Sequence, residues 1–312
     1  MRIALINSGI GLLAAAAELH RLRPDADLVL AMDPDGMPWG PRTPGDITQR
    51  SLACARAAAA FEPDALVFAC NTGTVHALPA LRAEFEPALP VVGTVPAIKP
   101  AAAFCDSVAI WATVATTAST YQRRLIDDFA GSARVTPVPC PGLADAVDAG
   151  DETAARAAVA AAAARTPGDC GAVVLGCTEY ELAATLIADA LPGVTLFRSA
   201  PAVAAQALRR AAAACADITP DAAPSRTGAV RVLLSGRRAG LPEAALRYAE
   251  GRLLAHLVAD RPGDDLRAGG LPGDDFPAED LPGDDFPAED LPAEPRTGRD
   301  AERPVPPSSV PA

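Results

Sequence analysis

The chain has 312 residues, room for about two ordinary domains, and half of it is hydrophobic with only 4% aromatic, so any core is filled mainly by Ala, Val and Leu. A net charge of −12 leaves no basic excess to neutralise phosphates, which excludes nucleic acid as a partner. Seven cysteines without a CxxC, and no uninterrupted apolar run of about 18 residues, exclude a disulfide framework, a structural zinc site and a membrane span.

In chain order, RIALI at 2–6 reads as a strand before a helical stretch near 11–22, and DLVLAM at 27–32 precedes a helix near 43–61. DALVFAC at 64–70 leads into 74–86, VVGTV at 91–95 and SVAIWA at 107–112 into 118–130, and RVTPV at 134–138 into 151–165. GAVVLGC at 171–177 is followed by 181–190, VTLFR at 194–198 by 200–215, and VRVLL at 230–234 by 242–259. The strands are continuously apolar rather than alternating, as expected when helices cover both faces. Repeated βα units of this kind predict an α/β fold with largely parallel sheets.

The end of the sequence differs. LPGDDFPAED occurs twice, at 271–280 and 281–290, after a degenerate copy at 261–270. Residues 261–312 hold 13 acidic residues against 5 Arg, a net of −8, and Pro and Gly are frequent. Pro removes backbone donors and the charge opposes collapse, so a disordered acidic tail is expected there. The opening MRIALINSG is too short in its apolar run for a signal peptide, and the chain reads as reduced and cytoplasmic.

Ligands of open parallel sheets bind outside the carboxyl ends of the strands. Two runs, LVFACNTGTV at 66–75 and VVLGCTEYEL at 173–182, each deliver a cysteine to such an end, followed by polar residues and a helix. Cys70 and Cys177 are therefore candidate reactive thiols, because a helix N-terminus stabilises a thiolate. Cys54, Cys105, Cys140, Cys170 and Cys215 read as small buried hydrophobes. The first loop, INSGIGLLA, offers a competing pattern: Gly9, Gly11 and Ala14 fit G-x-G-x-x-A, with Asp33 closing the next strand as in a dinucleotide site. Ser8 and open backbone N–H groups there would equally hold a substrate carboxylate. His20, His76 and His256 are too scattered to build a catalytic triad or a metal site.

With these stretches in view, the chain resembles glutamate racemase, within the aspartate/glutamate racemase superfamily. The matching segments are NSGIG (7–11), PWG (38–40), CNT (70–72), GTVPAIKPA (93–101), WATVATTASTY (111–121), CPGLADAVDAG (140–150) and GCTEYEL (176–182), with VRVLLSG near the close. The resemblance covers roughly residues 1–251. It implies two pseudo-symmetric α/β domains facing a central cleft: 1–96 plus about 200–251, and 97–199, with 252–260 ending the last helix. It also implies a cofactor-independent isomerase without a metal, in which one cysteine thiolate takes the α-proton and a second thiol delivers one to the opposite face. Cys70 would act on the D-enantiomer and Cys177 on the L-enantiomer. Substrate-binding residues carried over are Asn7, Ser8, Trp39, Gly40, Asn71, Thr72, Thr178 and Glu179, with Thr113 and Thr116 as further contacts. The implied partner is a small acidic amino acid, with room for a homodimer, and the implied role is supply of D-glutamate for peptidoglycan.

The sequence departs from that family's pattern at four positions. Its usual first-loop Asp is Asn7, its Tyr is Trp39, the His after Cys-Thr is Glu179, and its auxiliary Glu aligns with the shorter Asp148. GCTE also resembles the aspartate racemase branch. The alternatives are thus a racemase of aspartate or another acidic amino acid, and a degenerate paralogue that binds without turning over.

Overall fold

The computed structural model describes residues 1–214 and 227–258. Cys215 and the acidic repeat segment 261–312 lie outside the described residues. The chain runs through β1 (Arg2–Asn7), α1 (Leu12–Leu22), β2 (Asp27–Met32), α2 (Pro44–Ala59), β3 (Ala65–Phe68), α3 (Asn71–Phe85) and β4 (Val91–Gly93). It continues through α4 (Ile98–Phe104), β5 (Ser107–Ala112), α5 (Val114–Ala118), α6 (Thr120–Phe129), β6 (Arg134–Pro139), α7 (Leu143–Asp148) and α8 (Glu152–Ala163). Then come β7 (Ala172–Leu175), α9 (Thr178–Leu182), α10 (Ala184–Ala190), β8 (Thr195–Phe197), α11 (Ala200–Ala214), β9 (Val230–Leu234), β10 (Arg237–Ala239), a 3-10 turn (Glu243–Arg247) and α12 (Ala249–Ala255).

The strands form two sheets, ordered β10-β9-β2-β1-β3-β4 and β6-β5-β7-β8. Every pairing is parallel except β10 with β9. Four strands of the first sheet, β2-β1-β3-β4, repeat the order of the second, β6-β5-β7-β8. In each set the chain steps to one side of the founding strand and then to the other. That reversal opens a crevice at the carboxyl ends of β1 and β3, and of β5 and β7.

The continuous apolar runs earn their burial on both faces. After Arg2 every residue of β1 is buried, as are all of β3 and β7. One core cluster joins the sheets, taking Leu5 and Leu30 from the first and Trp111 and Leu175 from the second, with Leu12 of α1 and Tyr180 of α9. Separate clusters fill the outer faces, under α2 and α3 on one sheet and under α4 and α6 on the other. Among the described residues no helix is long and apolar enough to cross a membrane.

Several local expectations need correction. The strands around the two cysteines end sooner than the apolar runs suggest, at Phe68 and Leu175. Helix α3 begins at Asn71 rather than 74, because Gly73 inside its first turn is tolerated where the Phe68 ring occupies the place of a side chain. The stretch 181–190 is two helices, α9 and α10, meeting at Ala183. The single helix expected over 242–259 is a 3-10 turn and α12, divided by an extended Tyr248. The short helices α4, α5 and α7 and the edge strand β10 went unread. For β10 the signal was the Ser235-Gly236 dipeptide, both at positive φ (45° and 78°), which builds the two-residue hairpin turn onto β9.

Candidate active site

Cys70 and Cys177 reach their places by the same local route. Past β3, the Ala69 N–H still bonds Ile6 O at 2.9 Å, and Cys70 then turns the extended chain into α3 as its N-cap residue. Its Sγ accepts the Gly73 N–H at 3.3 Å, the service a Ser or Asn side chain usually gives a helix start. Past β7, the Gly176 N–H bonds Trp111 O at 2.7 Å and Cys177, also extended, opens α9. Here Sγ donates to Glu179 Oε2 at 2.8 Å.

The loop after β1 reaches across to the second cysteine. Asn7 is fully buried, and its Nδ2 donates to Thr178 Oγ1 and Glu179 Oε1, both at 3.2 Å. Its Oδ1 accepts the Ser8 N–H at 2.7 Å. Gly9 lies against the Asp148 carboxylate, and Gly11 against Thr178 and Glu179, so a Cβ at either position has no room. The Ile10 N–H bonds Asp148 Oδ1 at 2.9 Å. The glycines thus make space for side chains of α7 and α9, not for a pyrophosphate. Asp33 is equally committed, accepting from Trp39 Nε1 (3.0 Å), Gly36 N (3.1 Å), Ser235 Oγ (3.2 Å) and Arg50 Nη1 (3.3 Å). The dinucleotide pattern in the sequence is a packing pattern.

These loops enclose a cavity of about 460 Å³ lined by both cysteines. Of the residues singled out from sequence, Ser8, Trp39, Gly40, Asn71, Thr72, Thr113, Asp148 and Glu179 also line it. Asn7 and Thr178 stand behind the wall as hydrogen-bond partners, and Thr116 accepts from Thr113 Oγ1 at 3.0 Å. Asn71 is only 4% exposed, yet neither its Nδ2 nor its Oδ1 has a partner, so a donor and an acceptor are held ready at the cavity wall. His76 does not line the cavity; it is half-buried on α3.

Sequence reasoning missed two lining residues with titratable side chains. Cys140, read as a buried hydrophobe, does point its Sγ at Val138 O (3.4 Å), but it borders the cavity. Asp145 lies three residues before Asp148 on α7, a spacing that sets both on one helix face. That spacing was the available signal. Among the described lining residues there are three carboxylates and no Lys, Arg or His.

Burial, not the helix start, dominates the titration of this cavity. The Cys70 thiol is pushed up to about 12, first by desolvation and then by the Glu179 charge, while backbone N–H groups of Gly73 and Ser8 pull the other way. Cys177 is raised well above the usual thiol range by desolvation and then by Glu179. Desolvation, followed by the Glu179 charge, raises Asp148 to about 8. The lowering expected of thiols at helix N-termini is therefore outweighed by desolvation. Desolvation thus favours the protonated form of both thiols and of Asp148.

Residues 6–207 match the family model described as Asp/Glu/Hydantoin racemase. The chain belongs to this racemase family. It is accordingly an isomerase, and its relatives bear the assignment out. The glutamate racemase of Pseudomonas entomophila is 37% identical over 66% of this chain and 80% of its own length. That of Herpetosiphon aurantiacus is 36% identical over 68% and 85%. Among solved structures, Escherichia coli glutamate racemase in complex with L-glutamate and the activator UDP-MurNAc-ala is 27% identical, with a TM-score of 0.66 over 79% of this chain and 91% of that one. Thermus thermophilus glutamate racemase is 26% identical, with a TM-score of 0.59 over 82% and 91%. Racemase structures thus share both the two-sheet α/β architecture and most of its length.

Proposed function

We propose that the protein interconverts L- and D-glutamate without a cofactor, using Cys70 and Cys177 as the two proton-transferring groups, and so supplies D-glutamate for peptidoglycan. The observation that carries this reading is the repeat of one arrangement: each thiol stands at the crevice of its own sheet, and both line one cavity. We take the halves as two lobes, 1–96 with about 200–251 and 97–199, one cysteine to each. The curated relatives named glutamate racemase support the choice of substrate.

Inversion at carbon needs a base on one face and an acid on the other. Glu179 takes the proton of Cys177, the Cys177 thiolate takes the α-proton of L-glutamate, the electron pair stays on Cα and spreads into the carboxyl group, and the Cys70 thiol gives its proton to the opposite face. The reverse direction exchanges the roles. A thiol with a raised pKa is a stronger base once ionised, which suits a weakly acidic carbon acid. Glu179, in contact with Cys177 Sγ, is the group placed to accept that thiol's proton. The unpartnered Asn71 amide, with Ser8 and Thr72, would hold the substrate's carboxylate and ammonium groups.

The test is to incubate the protein in D₂O with each enantiomer of glutamate and aspartate and follow α-deuteration by NMR and enantiomer ratio by chiral chromatography. Glutamate should lose its α-proton signal and become racemic from either side. Turnover of aspartate alone would move the protein to that substrate, and absence of exchange with all four would support a binding paralogue.

A further inference from the structure

Cys177 is held by α9, a helix of five residues that cannot hold its own direction, so something outside it must fix the thiol. The helix packs on α7 and on α1. Its third anchor is Glu181, whose side chain is 3% exposed and faces away from the reaction cavity's lining. Glu181 Oε1 accepts the Ser199 N–H at 2.9 Å, Ser199 Oγ at 2.7 Å and the Ala200 N–H at 3.1 Å. Oε2 accepts the same Ala200 N–H at 3.3 Å. These donors are the start of α11, a fifteen-residue helix that lies on α1 and on β3, the strand leading to Cys70. Helix starts favour a carboxylate because their first N–H groups have no partner within the helix. One buried carboxylate therefore ties the Cys177 segment to the helix layer behind the Cys70 strand.

We infer that Glu181 is a positioning residue for the reaction, fixing the Cys177 thiol relative to Cys70 by clamping α9 to the start of α11. Its consequence for turnover rests on the two-cysteine reading above; its consequence for the thiol itself does not. Without the clamp α9 is free to shift, and the Cys177 Sγ–Glu179 contact loosens while Cys70, capping α3, stays in place.

The experiment measures iodoacetamide alkylation of each cysteine by peptide mass spectrometry, with racemisation kinetics on glutamate, in wild type, Glu181→Ala, Glu181→Gln and Ser199→Ala. In Glu181→Ala, Cys177 alkylation should rise about fivefold or more with Cys70 within about twofold, since exposure and contacts set thiol reactivity. The kcat should fall about tenfold or more with KM within about threefold, because small misplacement of a reacting group is costly. Glu181→Gln keeps an acceptor for Ser199 and should stay near wild type. Ser199→Ala removes one donor and should shift Cys177 in the same direction by less. If Glu181→Ala does not fold, Ser199→Ala and Glu181→Gln decide. Unchanged Cys177 reactivity in Glu181→Ala, or in Ser199→Ala where Glu181→Ala does not fold, or equal changes at Cys70 and Cys177, overturns the proposal. An inert wild type in which Cys177 still responds alone would sink the racemase reading and leave the clamp standing.

Discussion

The Cys177 thiol donates to the Glu179 carboxylate across 2.8 Å, inside a site that contains no cation among its described lining residues. Glu179 is also the second-largest cause of the raised pKa at Cys70, Cys177 and Asp148. One side chain thus adds, after burial, to the raised pKa of three groups in the cavity. Glu179→Gln removes that negative charge and should lower the pKa of both thiols, since each is raised by it. Iodoacetamide alkylation of Cys70 and Cys177 followed against pH should shift toward lower pH in the variant. A shift upward, or none at either cysteine, would mean that desolvation alone governs the thiols.

Cys70→Ser and Cys177→Ser should each reduce racemisation by about 10²–10⁴-fold, the usual worth of a positioned acid or base. A hydroxyl is far too weak an acid to replace a thiol here. Cys105→Ser is the control: that side chain is half-buried far from the cavity lining and its Sγ contact to Ser107 O at 3.2 Å can be kept by a hydroxyl. Its turnover should stay within about twofold of wild type. Wild-type rates in Cys177→Ser would rule out a two-thiol reaction.

Asn7 and Glu179 should be coupled. Asn7→Asp, the residue of the resembled family, replaces an amide donor by a second carboxylate at the 3.2 Å contact with Glu179 Oε1. A buried like-charge pair raises carboxyl pKa values. The variant should lose about 2–4 kcal/mol at neutral pH and recover on acidification, as one of the pair takes up a proton. Adding Glu179→His should restore about 1–3 kcal/mol, a coupling of the size found between contacting residues. Denaturant titration of the two single variants and the double at pH 5 and pH 8 measures it, and simple additivity would exclude the contact.

What the sequence made legible follows the strength of the physical signal. Continuous apolar runs such as RIALI and SVAIWA mark buried strands, and their alternation with Ala-rich helices leaves little choice but a parallel α/β fold. The cysteine turns are legible because the strand-to-helix switch is itself local. Elements of three to seven residues, such as α4, α7 and β10, carry too few positions for a period to emerge. The titration of the site was illegible for another reason: the helix start lowers a thiol's pKa locally, whereas the desolvation that overrides it comes from walls distant in sequence. Nothing local marks Glu181 in the sequence, because its partner Ser199 lies eighteen positions on.

Asp148 gives stability a pH dependence. Its carboxyl is raised to about 8 in the folded protein by burial and by Glu179, against about 4 in an unfolded chain. The folded state therefore holds a proton that the unfolded state has lost between those values. Its contribution is fully present below about pH 4 and is lost as pH rises through about 8. Asp148→Asn keeps an acceptor for the Ile10 N–H and removes the titration. Melting temperatures at pH 5 and pH 8 should differ less in the variant than in wild type, with the gain concentrated at pH 8. An unchanged difference would show that Asp148 is ionised in the folded protein.

Gly176 should be intolerant of a side chain. A Cβ there would meet the Trp111 carbonyl oxygen at 2.9 Å and the Ala112 Cβ at 3.1 Å, and the backbone of the paired strand β5 cannot swing aside as a flexible side chain could. The same close approach lets the Gly176 N–H reach Trp111 O at 2.7 Å, the last bond before the chain leaves the sheet at Cys177. Gly176→Ala must therefore push β7 off β5 at the point where the second thiol is aimed. Overpacking of this kind costs about 1–3 kcal/mol. The loss of turnover should exceed what that destabilisation implies, because the displaced residue is the neighbour of Cys177, the thiol proposed to transfer a proton. Gly168→Ala, where no atom lies within 4 Å of an added Cβ, serves as the reference and should be neutral in both measurements. Thermal unfolding and racemisation rates of the two variants, taken at a temperature where both are fully folded, separate the effects. A Gly176→Ala protein with wild-type turnover would show that the β7 edge does not aim Cys177.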